Sequence, residues 1–217
     1  MVNLGWQPLS FGADFFGMTA FLLTLVGSMR CDFLKFTSVD GTFTDHFGVW
    51  RYSQWAFFSN GQEAWIYEGC FPYSDSVVID SKWMAARVFS AIVLFGGMLV
   101  FFLGAYSACV GYNQQVGPPN TITGVCYLLL SLFSGLTLLI LDSNLCKNNV
   151  LLGELLNKIL FNDQCELSTG ANCFISATVF WFLAGLCSLS SSRSQKEEAG
   201  EAGEGLDEPL IHEPDVL

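Results

Sequence analysis

The chain has 217 residues, of which 52% are hydrophobic and 13% charged, about half the charged fraction of an average soluble domain. Its net charge of −11 is concentrated: eight Asp and Glu fall in residues 191–217, against only Arg193 and Lys196. No basic surface is available for nucleic acid, and the composition indicates an integral membrane protein rather than a large soluble core.

Residues 1–10 carry no charged side chain, and the first apolar run covers about 11–29. It lacks a basic leader and a small-residue cleavage pattern, so it reads as a retained signal-anchor helix. Asp14 is the sole acid within it and is expected at headgroup level. Three more apolar runs cover about 84–110, 121–141 and 171–189, the last two without a charged side chain. At about 1.5 Å per residue, each run reaches roughly the 30 Å of a bilayer core. Gly117-Pro118-Pro119-Asn120 supplies the turn between the second and third.

The predicted fold is an all-α membrane protein. Residues 1–190 form a four-transmembrane-helix bundle with loops at 30–83 and 142–170. Gly97, Gly104 and Ala108, Ser131 and Gly135, and Ala184 and Ser188 provide small-residue spacings for close helix approach within the bundle.

Residues 191–217 are rich in Ser, Glu, Gly and Ala, without apolar periodicity, and are expected to be disordered. Ser190, Ser191, Ser192 and Ser194 surround Arg193, a context that suits a kinase. The stretch Asp207-Glu208-Pro209-Leu210-Ile211 has the form of an acidic di-leucine sorting signal. Asp215-Val216-Leu217 has the form of a terminus that adds to a PDZ-type groove. A cytosolic adaptor is the partner either would serve; a solvated acidic tail is the plainer reading of both.

The first loop carries Cys31, Trp50, Trp55, Trp65 and Cys70 among many Phe, Tyr, Val and Thr, with Asp40-Gly41 and Asn60-Gly61 as hairpin turns. It predicts an antiparallel sheet of three or four strands with tryptophans as its core. His46 reads as an exposed turn residue.

Eight cysteines divide by place: Cys109, Cys126 and Cys187 lie in apolar runs, and Cys31, Cys70, Cys146, Cys165 and Cys173 in or beside the loops. The second group favours disulfides in an oxidising compartment. Pairing Cys31 with Cys70 closes a loop of about 40 residues, worth roughly 4 kcal/mol, and Cys146 with Cys165 roughly 3 kcal/mol. Cys173 is then free, or competes for Cys165.

Orientation sets two rules against each other. Arg30, Lys35, Arg51, Lys82, Arg87, Lys147 and Lys158 lie on the loop side, which by the positive-inside rule is cytosolic. The cysteines, and the acids that offset most of those cations, place the loops outside or in a lumen and both termini in the cytosol. The second is adopted here, in a plasma membrane or endomembrane.

Gly48-Val49-Trp50, and Ala85-Ala86-Arg87 at the entry to the second helix, resemble the Gly-Leu-Trp and Ala-Ala-Arg of the claudin superfamily, which includes the peripheral myelin protein and stargazin-like channel subunits. The resemblance implies a left-handed four-helix bundle under a small extracellular sheet. The chain departs from that pattern at Ser53, where the family has a cysteine, and at Cys70, which comes later than the family's second one. Cys31 with Cys70 would be a substitute bridge.

No reaction is visible in this sequence. His46 and His212 are the only histidines, too few for paired haem ligation. No C-x-x-C, zinc-like spacing or phosphate loop occurs, so no cofactor or metal is expected. The expectation is a non-enzymatic accessory, scaffold or adhesion-type protein that contacts other membrane proteins, or its own copies, through the first loop. The alternative is an oligomeric small channel or transporter. Gly48, Trp50, Arg51, Trp55 and Arg87 are the residues expected to matter structurally, with Arg87 tying the loop's carbonyls to the bundle.

Overall fold

The structure is a computed structural model that describes residues 8–39, 44–58, 64–74, 77–109, 120–148 and 165–204. Side chains are described for all of these except 8–10, 54–58, 64–68, 104–109, 120, 148 and 193–204. The elements, in order, are α1 (Pro8–Met29), β1 (Leu34–Thr37), β2 (Thr44–Phe47), β3 (Arg51–Phe58), β4 (Ala64–Pro72), α2 (Ser81–Cys109) and α3 (Asn120–Leu136). A 3-10 segment (Thr137–Asp142), α4 (Asn144–Asn148), β5 (Glu166–Leu167) and α5 (Thr169–Glu204) complete the chain.

Four helical stretches, 11–29, 81–103, 121–147 and 169–192, are long and apolar enough to cross a membrane. These are the features of a multi-pass membrane protein. Because α1 rises into β1 and α2 leaves β4, the sheet caps one end of the bundle and the start of α1 at Pro8 lies at the other.

Trp181 of α5 sits at the centre of the bundle, fully buried. Its ring stacks on Tyr127 of α3 with centroids 5.6 Å apart, and its Nε1 donates to Thr24 Oγ1 of α1 at 3.4 Å. Gly97 of α2 makes room for it, since a Cβ there would lie 3.0 Å from the indole. The polar groups inside are satisfied between helices, as an apolar solvent demands. Ser131 Oγ donates to the Thr178 carbonyl, Ser134 Oγ to that of Phe174, and Ser28 bonds Ser90. The small residues therefore serve packing within the chain. One close approach is not among those the spacing rule singled out: Gly124 of α3 faces Gly185 of α5, and a Cβ on either would meet the other's carbonyl at 3.2–3.3 Å. Facing outward on α2, Met84, Val88, Ile92, Phe95, Leu99 and Phe102 form an exposed apolar stripe, of the kind a spanning helix presents to lipid.

The sheet has five antiparallel strands in the order β4-β3-β2-β1-β5. Four come from the first loop; the second loop adds β5, pairing Leu34 with Leu167 and Lys35 with Glu166. The β3–β4 register slips between Gln54 and Trp55, opposite Gly69, whose φ of 140° is a conformation open to glycine. The turns at Asp40-Gly41 and Asn60-Gly61 lie outside the described residues, though the strands flanking each of them pair.

Disulfides join Cys31 to Cys70 (Cα–Cα 5.8 Å) and Cys146 to Cys165 (5.3 Å); Cys126, Cys173 and Cys187 are free. At a sequence separation of 39, the first closes most of the sheet into one ring.

Several expectations change. The cap's described core is mostly phenylalanine and aliphatic, Phe33, Leu34, Phe36, Phe47 and Val49, together with Trp83 and Ala86 of α2 and Phe174 of α5; the side chains of Trp55 and Trp65 lie outside the described residues. Trp50 points outward, because its turn carries Val49 to the core side instead. His46 lies within β2, opposite Lys35, not in a turn. The helices begin two or three residues before the apolar runs at Ser81 and Thr169, and α5 continues to Glu204. Part of the tail expected to be disordered is therefore helical in backbone, since Gln, Lys, Glu and Ala extend an existing helix at little cost. Leu210, Ile211, Asp215 and Leu217 lie outside the described residues.

Gly185→Val should destabilise the intact chain in detergent by about 1–3 kcal/mol, read as a lowered midpoint of thermal unfolding. Gly12→Ala, whose Cβ would meet only Cys187 Sγ at 3.8 Å, should leave the midpoint near that of the wild type.

Candidate functional site: the cap–bundle junction

The residues singled out from sequence meet at the turn between β2 and β3. Gly48 N donates to the Arg51 carbonyl at 2.7 Å, closing Gly48-Val49-Trp50-Arg51 into a tight turn. Only glycine fits at its first position: a Cβ on Gly48 would lie 2.5 Å from the Arg30 carbonyl and 2.8 Å from that of Arg51. Both atoms are backbone and cannot yield. The turn is thus pressed against the exit of α1, beside the Cys31 bridge.

The turn turns its Val49 carbonyl toward α2, where it accepts from two side chains. Arg87 Nε donates at 2.9 Å and Trp83 Nε1 at 3.3 Å. Both lie on one face of α2, four residues apart, as helical spacing requires. The Arg87 guanidinium also stands over three aromatic rings, at 4.9 Å from the centroid of Trp83, 5.1 Å from Tyr73 and 5.5 Å from Trp50. Tyr73 meets Trp83 edge-on, stacks on Tyr52, and donates its hydroxyl to the Gly48 carbonyl at 2.7 Å. Burial pushes that phenol's pKa well above its ordinary value, so it remains a neutral donor. Tyr52 and Tyr73 were not anticipated; nothing in local spacing ties them to a residue near 87.

Gly48, Trp50 and Arg87 therefore share one site. Arg51 flanks it, exposed, with its carbonyl closing the turn. Trp55 lies further along β3, past the register slip, and its side chain is outside the described residues.

A second polar cluster lies deeper in the sheet. Ser53 stands opposite Cys70 in the β3–β4 register, and Cys70 is bridged to Cys31. Ser53 Oγ accepts from His46 N at 3.0 Å and lies within 3.0 Å of both Asp45 Oδ1 and the His46 carbonyl, as a donor to one of them. His46 N also donates to Asp45 Oδ1 at 3.0 Å. Asp45 is buried; burial raises its pKa from 3.8 to about 6, partly offset by the bonds from Ser53 and His46. The His46 imidazole goes the other way, its pKa lowered by burial, with Asp32 opposing that shift and Lys35 and Arg30 adding to it. Its Nδ1 is buried without a partner.

On the other flank, Asp80 caps α2 by accepting from Trp83 N through Oδ1, while Oδ2 accepts from Asn144 N at 3.1 Å. Lys82 and Lys147 both pair with Asp142. One acid thus ties the start of α2 to α4, which carries Cys146. Among the described residues, no three His, Cys, Asp or Glu converge on a point a metal could occupy.

Compared with known proteins, the chain matches no family model, and no curated protein matches it.

Gly48→Ala should cost roughly 2 kcal/mol or more and should speed reduction of the Cys31–Cys70 bridge and proteolysis of the cap. A change in neither rate would mean the turn is not held against Arg30.

The Asp45–His46 pair sets opposing pH dependences. Asp45, with a folded pKa above its unfolded value, makes folding less favourable above about pH 6. Acidification from there toward 4 restores up to about 3 kcal/mol. His46, with a folded pKa below 6.5, loses stability as pH falls through that value, because the unfolded chain takes the proton first. Between pH 7.5 and 5 the two trends therefore oppose each other in the wild type. Asp45→Asn should become less stable on acidification and His46→Gln more stable, as read by unfolding at each pH.

Proposed function

We infer that the chain is a claudin-like tetraspan membrane protein, not an enzyme, acting as an accessory subunit, scaffold or adhesion-type partner through its first loop. The observation that carries this reading is the way the cap is built. Two disulfides, the Gly48–Arg51 turn and the shared Val49 carbonyl make sheet and bundle one unit. Rigid surfaces lose little entropy when they bind.

The outer side of that unit carries exposed Trp50, Phe71, Val39 and Val78, side chains of the kind that anchor interfaces. The Gly-Val-Trp turn bonded to the arginine of Ala-Ala-Arg gives the two family-like motifs a common purpose, which favours kinship with the claudin superfamily. The disulfides favour a cap outside the cell or in a lumen, with both termini cytosolic. The partners are then the bilayer, other membrane proteins or further copies of this chain, and a cytosolic adaptor on the acidic tail.

Photo-cross-linkers placed at Trp50 and at Phe71 test the reading in native membranes. The expected result is a discrete adduct with another membrane protein or a second copy, weakened by Cys31→Ser. A strict monomer with no adduct from either position, in membranes and in mild detergent, would end it. Cleavage of the C-terminal tail by protease added to the cap side of sealed vesicles would reverse the topology.

A further inference from the structure

Described cations in this protein have carboxylate partners, with two exceptions. Arg30 pairs with Asp32, Lys35 with Glu166, and Lys82 and Lys147 with Asp142. Arg51 is exposed to solvent and needs none. Arg87 is different: half-buried, it has no carboxylate within salt-bridge distance among the described residues. Nε bonds Val49, and the N–H groups on both terminal nitrogens have no acceptor among those residues. Aromatic faces attract a cation but bring no net negative charge, so the described groups around Arg87 leave it cationic.

Its place in the fold says what supplies the anion. Arg87 lies six residues into α2, roughly 9 Å along the helix from Ser81, inside the stretch apolar enough to span a membrane. Met84 and Val88, on the same helix, are 50% and 49% exposed, and Trp50 beside the guanidinium is 40% exposed. An arginine at this depth reaches toward the headgroups, and an indole settles at the same level.

We propose that Arg87, with the exposed Trp50 ring as one wall, holds the phosphodiester of a phospholipid in the cap-side leaflet, whose acyl chains lie along Met84 and Val88. A planar guanidinium whose terminal nitrogens have no acceptor among the described residues matches phosphate oxygens two at a time. The lipid is then a structural ligand: it neutralises the cation that fixes the cap to α2, and so couples cap stability to headgroup chemistry. The inference rests only on the chain crossing a bilayer, and stands or falls separately from any protein partner of the cap.

Native mass spectrometry of the full chain, delipidated in detergent and titrated with defined lipids, tests it. Phosphatidylcholine and phosphatidylglycerol should each fill one tight site, and diacylglycerol with the same chains should bind it at least about tenfold more weakly, for want of charge-assisted bonds. Arg87→Gln should lose that one tight phospholipid, and inorganic phosphate at millimolar concentration should not displace it from the wild type. Equal affinity for diacylglycerol, an unchanged lipid count in Arg87→Gln, or displacement by inorganic phosphate would each overturn the proposal. Should Arg87→Gln fail to form its disulfides, the headgroup comparison on the wild type decides alone.

Discussion

The Val49 carbonyl accepts from Arg87 and Trp83 at once, and much of the structure follows from that shared acceptor. To reach it, α2 must present both side chains on one face, and the β2–β3 turn must press its backbone inward. That second condition excludes any side chain at Gly48. Trp50 is then left on the outside, over the guanidinium. Hydrogen bonds to a charged donor are stronger than those between neutral groups, and more so where water is scarce. Cap and bundle are thus joined by bonds of known direction rather than by apolar contact alone.

The apolar core continues across the same junction. Phe33 meets Phe174 of α5 edge-on at 5.5 Å, while Ser168 N and Gly170 N donate to the carbonyls of Phe33 and Asp32. Trp83 and Ala86 pack into the sheet's own core. The cap is therefore no independent domain. A sheet of short strands is marginal by itself; here helices from two directions complete its buried face, and the disulfides restrict the chain before it folds.

Inside the bundle a different solvent sets the terms. With lipid on the outside, burying apolar surface gives little drive for helices to associate, so close packing and hydrogen bonds carry the association. Trp181 with Thr24, the Ser131–Ser134–Thr178 group and the Gly124–Gly185 contact are of that kind. In the cluster of Asp45, His46 and Ser53, burial raises the pKa of the acid and lowers that of the imidazole. Asp45 is held by the His46 amide and the Ser53 hydroxyl rather than by an opposite charge.

Four helices, their approximate ends, a sheet in the first loop and the cysteines able to bridge it were all legible in the sequence. Each depends on a local or one-dimensional property: apolar run length against bilayer thickness, hairpin turns, and loop residues free of membrane. Gly48, Trp50 and Arg87 were legible as residues but not as a group. What gathers them with Tyr52 and Tyr73 is a chain reversal that brings residue 49 against residue 87, and sequence spacing carries no trace of such a distance. The same holds for the phenylalanine core, for His46 inside a strand and for Gly124 against Gly185. Composition by itself determined which segments are long and apolar enough to cross a membrane. Which side chains face one another was decided only when strands and helices packed, because burial at the junction is shared among segments far apart along the chain.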